Sequence, residues 1–257
     1  MDSAQVLYEV LLIIQIISSV LIFILLFFVN APYGKYYAKS WGASINPRLG
    51  WIAMEFPAFL TLFVMFIAGE AYKNFVLTIF IIIWEIHYIR RTFIFPFQII
   101  TKKKMSILIP ILSVVFNTMN GYINGYYLFI NNDSLEKYSL FWIFTPQFIV
   151  GCSIFIVGLV INISSDNILR RLRLTGDGEY YVPNEGLHKY VANPNYFGEL
   201  LEWIGWAVLT WSPAGAAFAL FTFANLAPRA QKNKLWYREK FGSSYPKERK
   251  AIIPYLF

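Results

Sequence analysis

The sequence predicts an all-α integral membrane protein of seven transmembrane helices, with the N-terminus outside and the C-terminus in the cytosol. Three observations carry that expectation. Of 257 residues, 57% are hydrophobic and only 14% charged, against roughly 25% charged in soluble domains, and the mean hydropathy is +0.50. Measured against the ~20 residues that cross ~30 Å of hydrocarbon, the apolar runs give candidate spans at about 6–30, 50–69, 75–98, 106–131, 140–164, 197–211 and 214–228. Positive charge is one-sided, which sets orientation. Lys35, Lys39, Arg48, Arg90, Arg91, Lys102, Lys103, Lys104, Arg170, Arg171, Arg173, Lys189 and the tail from Arg229 share one side. Of the 22 Lys and Arg, only Lys73 and Lys137 fall on the other. Seven spans keep every basic cluster cytoplasmic, and an even number breaks that agreement.

The first run, Val6 to Val29, follows Asp2 and Glu9 instead of a basic segment and has no small-residue cleavage site after it. It reads as a retained helix, not a signal peptide. The sixth and seventh spans are short and joined by Ser212-Pro213, which predicts a tight helical hairpin. Between the fifth and sixth lies a polar cytoplasmic loop, Arg170 to Pro194, containing Thr175-Gly176-Asp177-Gly178 and too long for a plain connector. The tail from Lys232 to Phe257 mixes bases with Trp236, Tyr237, Phe241, Tyr245 and Tyr255. It is expected to cap the bundle, the alternative being an amphipathic segment on the membrane surface. The whole chain, 1–257, is expected to form one membrane domain, in the endoplasmic reticulum or a bacterial inner membrane.

Cys152 is the only cysteine and lies in an apolar run, so no disulfide framework is expected. His87 and His188 are too few and too far apart for a recognisable metal motif, and no metal is expected. The net charge of +7 is mostly topogenic. It implies no nucleic acid, but it makes the cytoplasmic mouth attractive to an anionic ligand. No obligate protein partner is expected; membrane lipid surrounds the spans.

Polar residues inside the spans mark the candidate site. A carboxylate at membrane depth costs at least ~2–3 kcal/mol and is tolerated where it faces a partner or a water-filled cavity. Asn195, Glu199 and Glu202 are spaced four and three residues apart, near one helical face. Glu55 lies two residues before Pro57, where a freed carbonyl and a kink can shape a pocket; its plain alternative is a glutamate satisfied by a neighbouring amide. The third span carries Glu85, His87, Tyr88, Arg90 and Arg91. The two arginines can snorkel as anchors, and Tyr88 can be an interfacial belt residue, or a phenol one turn from Arg91 that donates in a dry site. Asn162, Asp166, Arg170 and Arg173 form a continuous polar stripe at the end of the fifth span, in which Asp166 is positioned to orient the arginines by ion pairing. Oriented guanidiniums suit phosphate. No P-loop and no Gly-x-Gly-x-x-Gly after a strand is present, so the bundle itself would have to hold any nucleotide.

These stretches together resemble the steroid 5α-reductase family. The matching residues are Glu55-Phe-Pro, His87-Tyr88-x-x-Arg91-Thr-Phe and Asn120-Gly-x-x-Asn124-Gly-Tyr-Tyr-Leu. They continue through Asn162-Ile-x-Ser-Asp166-x-Ile-Leu-Arg-x-Leu-Arg173 and Asn193-x-Asn195-Tyr-x-Gly-Glu199-x-x-Glu202-Trp, then Ala216-Ala217-Phe-Ala and the end Tyr245-Pro-Lys-x-Arg-Lys-Ala-Ile-Ile-Pro-Tyr-Leu-Phe257. The resemblance runs from the second span onward; the first matches only in hydrophobicity. It implies an NADPH-dependent enzyme that reduces the 4,5 double bond of a 3-oxo-Δ4-steroid. It also implies that Glu55 and Tyr88 hold the substrate carbonyl, where hydride addition to an enone gathers negative charge. Glu55 donates only when protonated, which burial favours. A cofactor site is implied at Asn162, Asp166, Arg173, Tyr180, Asn195, Glu199 and Tyr237, with Arg91 near the nicotinamide and Arg229 and Lys102 as further phosphate contacts. The chain departs from the family pattern at Ser164, where histidine is common, at Tyr181, where arginine often stands, and at Lys232-Asn233-Lys234, in place of a histidine cluster. Its Ile-, Asn- and Lys-rich composition points to a bacterial or lower-eukaryotic source.

The other readings are a reductase of a different conjugated carbonyl lipid (enoyl or polyprenal), a membrane methyltransferase, and a small seven-span transporter or receptor. A methyltransferase needs no carbonyl clamp such as Glu55 and Tyr88. A transporter needs a polar path between both faces, whereas here polar residues crowd the cytoplasmic half.

Overall fold

Several helix starts are set by a capping side chain, and Asn46, Thr145 and Ser212 are each followed by proline, whose missing N–H is no loss in a first turn. The computed structural model describes residues 3–101, 103–131, 136–176 and 179–257. Lys102 and the Asp177-Gly178 pair lie outside the described residues. Helix α1 spans Ser3–Phe28. Helix α2, Pro47–Ala68, opens where the Asn46 side chain accepts from the Arg48 amide. Asn74 caps α3, Phe75–Ile89, by accepting from the amides of Val76 and Leu77. A five-residue π-helical turn, Arg90–Ile94, leads into the short α4, Phe95–Gln98. Helix α5, Leu108–Gly125, likewise ends in a π-helical turn, Tyr126–Ile130.

Thr145 caps α6, Pro146–Thr175. Residues Leu140–Phe144, expected inside the fifth span, instead form a separate 3-10 turn, because the Thr-Pro pair starts the helix after them. Helix α7 is Pro194–Thr210 and α8 is Pro213–Phe241, capped by Ser212. The sharp turn between them places Trp211 at φ 46°. The last helix does not stop near 228: it runs through Pro228 for more than three further turns, across Arg229, Ala230, Gln231 and Lys232. These residues have good helix propensity, which outweighs the single lost hydrogen bond.

Among the described residues, three helices are long and apolar enough to cross a membrane: α1, α2 and α6. Among the described residues, the expected all-α architecture is broken by one short strand pair. Ser44–Ile45 pairs antiparallel with Met105–Ser106, tying the loop after α1 to the segment before α5.

The helices pack α1 on α8, α2 on α5, α6 on α7 and α7 on α8. A core of Trp84, Trp203, Trp206, Phe80 and Phe218 fills the centre. Two of its indoles find the partners that buried N–H groups require: Trp84 donates to the Ala58 carbonyl at 3.2 Å and Trp206 to Asn124 at 2.9 Å. The outer face of α1 exposes Ile13, Val20, Leu21 and Ile24, while its inner face buries Gln15, which donates to Asn120 at 3.0 Å.

Between α6 and α7, glycine permits near backbone contact. A Cβ on Gly158 would lie 2.6 Å from the Glu202 amide nitrogen, and one on Gly198 would lie 2.5 Å from that of Asn162. This approach sets the polar stripe of α6 directly against the start of α7. The tail packs beside the same point: the Ala192 amide donates to the Lys250 carbonyl at 2.9 Å, and Arg249, buried, pairs with Asn184. His188 anchors the loop between α6 and α7, fully buried near the Ser165 carbonyl at 3.4 Å, and burial lowers its pKa to about 4.

Candidate active site

Two adjoining chambers open among the helices on the side of the basic loops. The deeper one, about 370 Å³, is walled by Trp51, Phe95, Phe116, Phe218, Phe221 and Trp203. Among these apolar walls stand Glu55, His87, Tyr88, Arg91, Asn162, Asp166, Asn195, Glu199 and Arg229. The mouth chamber, about 190 Å³, is lined by Lys35, Arg173, Tyr180, Asn195, Arg229, Lys232, Asn233 and Tyr237, among others. Ala31, Tyr33, Asn195, Tyr196 and Arg229 belong to both, so the chambers share a wall. Of the described candidates, Glu55, His87, Tyr88, Arg91, Asn162, Asp166, Asn195, Glu199 and Arg229 border the deep chamber, and Arg173, Tyr180 and Tyr237 border the mouth.

At the inner end, Arg91 donates from Nη2 to Glu55 Oε1 at 3.2 Å, and both side chains are buried. The guanidinium also stacks over Trp51 and Phe95 at 4.6 and 4.7 Å from their centroids. The Tyr88 ring packs on Trp84 and Trp203, and its hydroxyl has no hydrogen-bond partner among the described residues. A phenol, a carboxyl group and a guanidinium thus face one apolar cavity. That combination can bind and polarise a carbonyl oxygen.

Where the chambers meet, Arg90 forks onto α6, donating to Asn162 at 2.8 Å and to Asp166 at 2.9 Å. Asn195 donates to the second oxygen of Asp166 at 3.1 Å, and Asn162 donates to the Asn195 carbonyl at 3.0 Å. This corrects the expectation that Asp166 orients the arginines of its own helix. Its partner is Arg90, because Asp166 faces the chamber while Arg173 lies over the Tyr180 ring in the mouth. Nor do Arg90 and Arg91 snorkel outward; both are buried. The one-face reading of Asn195, Glu199 and Glu202 is also refined. Asn195 and Glu199 line the deep chamber, whereas Glu202, fully buried, pairs with His87 Nδ1 at 2.7 Å. Glu85 lies outside both chambers, and neither of its carboxylate oxygens has a partner among the described residues.

The mouth chamber is cationic. Lys35, Arg173, Arg229 and Lys232 line it, and among the described residues no carboxylate does. Arg173 sits 3.5 Å from the Tyr180 ring centroid, and Lys35 lies over Trp236 at 4.1 Å and Tyr237 at 5.0 Å. Burial, then the nearby Arg173 and Lys240, lowers the Lys35 pKa to about 7; burial pushes the Tyr237 phenol up to about 12. An arriving polyanion relieves this crowding of like charge.

Sequence reasoning counted Lys35 only as topogenic charge and did not pair His87 with Glu202. Partners 115 residues apart leave no local signal. Ser164 and Tyr181, two departures from the family pattern, are exposed and line neither chamber; Lys232 and Asn233 do line the mouth.

A chamber walled by apolar side chains, with Glu55, Tyr88 and Arg91 in it and a cationic chamber beside it, suits a membrane enzyme that takes an apolar molecule. Residues 103–257 match the family described as 3-oxo-5-alpha-steroid 4-dehydrogenase. The chain is 39% identical over 261 residues, covering all of both chains, to a steroid 5-alpha-reductase of Gossypium hirsutum. It is 37% identical over 230 residues to the 3-oxo-5-alpha-steroid 4-dehydrogenase 1 of Homo sapiens, covering 89% of this chain and 87% of that one. The chain belongs to this family of oxidoreductases.

Proposed function

We propose that this protein reduces the 4,5 double bond of a 3-oxo-Δ4-steroid to the 5α-dihydrosteroid with NADPH. The observation that carries the reading is the junction of the two chambers. The Glu55–Arg91 pair and the Tyr88 hydroxyl stand in the apolar one, and a cationic chamber that no carboxylate lines among the described residues adjoins it. A flat apolar substrate suits the first, and a dinucleotide polyanion suits the second.

NADPH supplies a hydride when bound. Lys35, Arg173, Arg229 and Lys232 would hold its phosphates, and the Asn162–Asp166–Asn195 network its middle, with Tyr180, Glu199 and Tyr237 around it. At the other end, Tyr88 donates to the substrate carbonyl. Glu55 accepts from Arg91 at Oε1, which leaves Oε2 to carry a proton and donate alongside Tyr88. As charge gathers on the carbonyl oxygen, these donors stabilise it more than they stabilise the ground state. The surrounding Phe and Trp side chains exclude water.

The protein would be a single multi-pass domain of seven spans, N-terminus outside, in the endoplasmic reticulum or a bacterial inner membrane. Cofactor oxidation by the purified protein with a 3-oxo-Δ4-steroid, with product stereochemistry read against standards, tests the reaction. Turnover only with a linear enone lipid would move the substrate to the enoyl or polyprenal class.

A further inference from the structure

The buried pair of His87 and Glu202 is unused in the account above. His87 lines the deep chamber beside Tyr88, their ring centroids 5.1 Å apart, and its ring lies 4.7 Å from that of Trp203. Its Nδ1 sits 2.7 Å from Glu202 Oε2. Nε2, the nitrogen left for the chamber, has no protein partner among the described residues. Glu202 is 0% exposed, and its other oxygen, Oε1, has no hydrogen-bond partner among the described residues. The charged groups that face His87 are Glu55 of α2, Arg90 and Arg91 of the turn after α3, and Glu199 and Glu202 of α7.

A carboxylate with an unpartnered oxygen at zero exposure is costly. The cost falls if the carboxyl group carries a proton and donates it to Nδ1. The imidazole then presents Nε2–H to the chamber, next to the groups that hold the carbonyl.

We infer that His87 and Glu202 form the proton relay that delivers the second hydrogen of the reduction to the α-carbon. The inference rests on the enone reduction proposed above. Hydride brings two electrons to the β-carbon, and the π pair of the double bond shifts to the α-carbon and carbonyl oxygen. His87 Nε2–H gives its proton to the α-carbon, forming the new C–H bond, while Nδ1 takes the proton of Glu202. The pair ends as neutral imidazole and Glu202 carboxylate. That negative charge balances the positive charge left on the nicotinamide, so the buried site stays neutral. A proton from bulk solvent, passed along water entering by the mouth, then returns to Nε2, and the Nδ1 proton returns to Glu202, so each turnover consumes one solvent proton. His87 touches the substrate in this scheme; Glu202 acts through it as a positioning and proton-holding residue.

Two measurements test the relay. In the first, the wild type and Glu202→Gln reduce a 3-oxo-Δ4-steroid in deuterium oxide. Gln keeps a hydrogen bond to the imidazole and cannot pass a proton. The wild type should place deuterium on one face of the α-carbon. Glu202→Gln should bind NADPH normally, lose roughly 10²–10⁴ in kcat, and give both epimers as water takes over. A folded variant with wild-type rate and a single epimer overturns the relay alone. A wild type that turns over no enone overturns the reductase reading instead.

The second measurement needs neither variant nor turnover. Imidazole ¹⁵N NMR of the cofactor-free protein identifies the His87 tautomer, with His188→Gln separating the signals of the 2 histidines. The relay requires the proton on Nε2. A proton on Nδ1, donated to a Glu202 carboxylate, overturns it.

Discussion

Arg91 reaches back 36 residues in sequence to hold Glu55 at 3.2 Å, fixing one carboxylate oxygen and leaving the other toward the chamber that Tyr88 shares. Removing one partner of a buried pair strands the other, typically at about 3–5 kcal/mol. Glu55→Leu should therefore lower the thermal unfolding midpoint as well as activity. Glu55→Gln keeps an acceptor for Arg91 and a donor for the substrate. It should stay folded and retain more activity than Glu55→Leu, whose kcat should fall roughly 10²–10³-fold. Equal, near-wild-type rates in both variants would remove Glu55 from the mechanism.

With Lys35 at the phosphate site proposed above, cofactor binding should have a pH dependence of defined sign. Its pKa in the empty site is about 7, and a bound phosphate raises it. Above about pH 7 the free lysine is largely neutral, so binding must take up a proton. Affinity for NADPH should then fall by up to about tenfold per pH unit above that point and be level below it. Calorimetry in buffers of different ionisation enthalpy should show the proton uptake. Lys35→Met should flatten the profile and weaken NADPH more than NADH; an unchanged slope would take Lys35 out of the phosphate site.

Arg173→Ala and Asn195→Ala should each weaken NADPH binding, by roughly ten- to a hundred-fold for the charged contact. Asn195→Ala also unties Asp166, so its effect should extend to kcat. Cofactor affinity unchanged in both, measured by fluorescence titration, would withdraw these assignments.

The glycine contact between α6 and α7 should be sensitive to a single methyl group. In Gly198→Ala the new Cβ would lie 2.5 Å from the Asn162 amide nitrogen, and overpacking of that kind costs about 1–3 kcal/mol. The variant should melt earlier and bind NADPH more weakly, because Asn162 and Asn195 move apart together. Ser164→Ala, at an exposed position of α6, should change neither. Wild-type behaviour in Gly198→Ala would show that the helices can separate without cost.

Much of this was legible in the residues. The positions of the helices follow from apolar runs bounded by Asn, Thr, Ser and Pro, and the polar side chains stranded in those runs point to the chambers. The interior partners were not legible. Asp166 lies near Arg170 and Arg173 along its own helix but pairs with Arg90, 76 residues away. Helix periodicity shows which face a residue occupies and not which helix meets that face. Lys35 reads as one more topogenic charge until Tyr180, Trp236 and Tyr237 fold over it from distant segments. The length of α8 was hidden because Pro228 looks like a helix end, while the residues after it continue the helix.

The most direct test of the account is turnover itself: detergent-purified protein, NADPH and a 3-oxo-Δ4-steroid, with the product identified by mass spectrometry and chromatography against both 5-epimers. The account predicts NADPH oxidation coupled to a 5α-dihydrosteroid. NADPH binding without turnover of any 3-oxo-Δ4-steroid would contradict the assigned substrate, and failure to bind NADPH at all would contradict the reading of the two chambers.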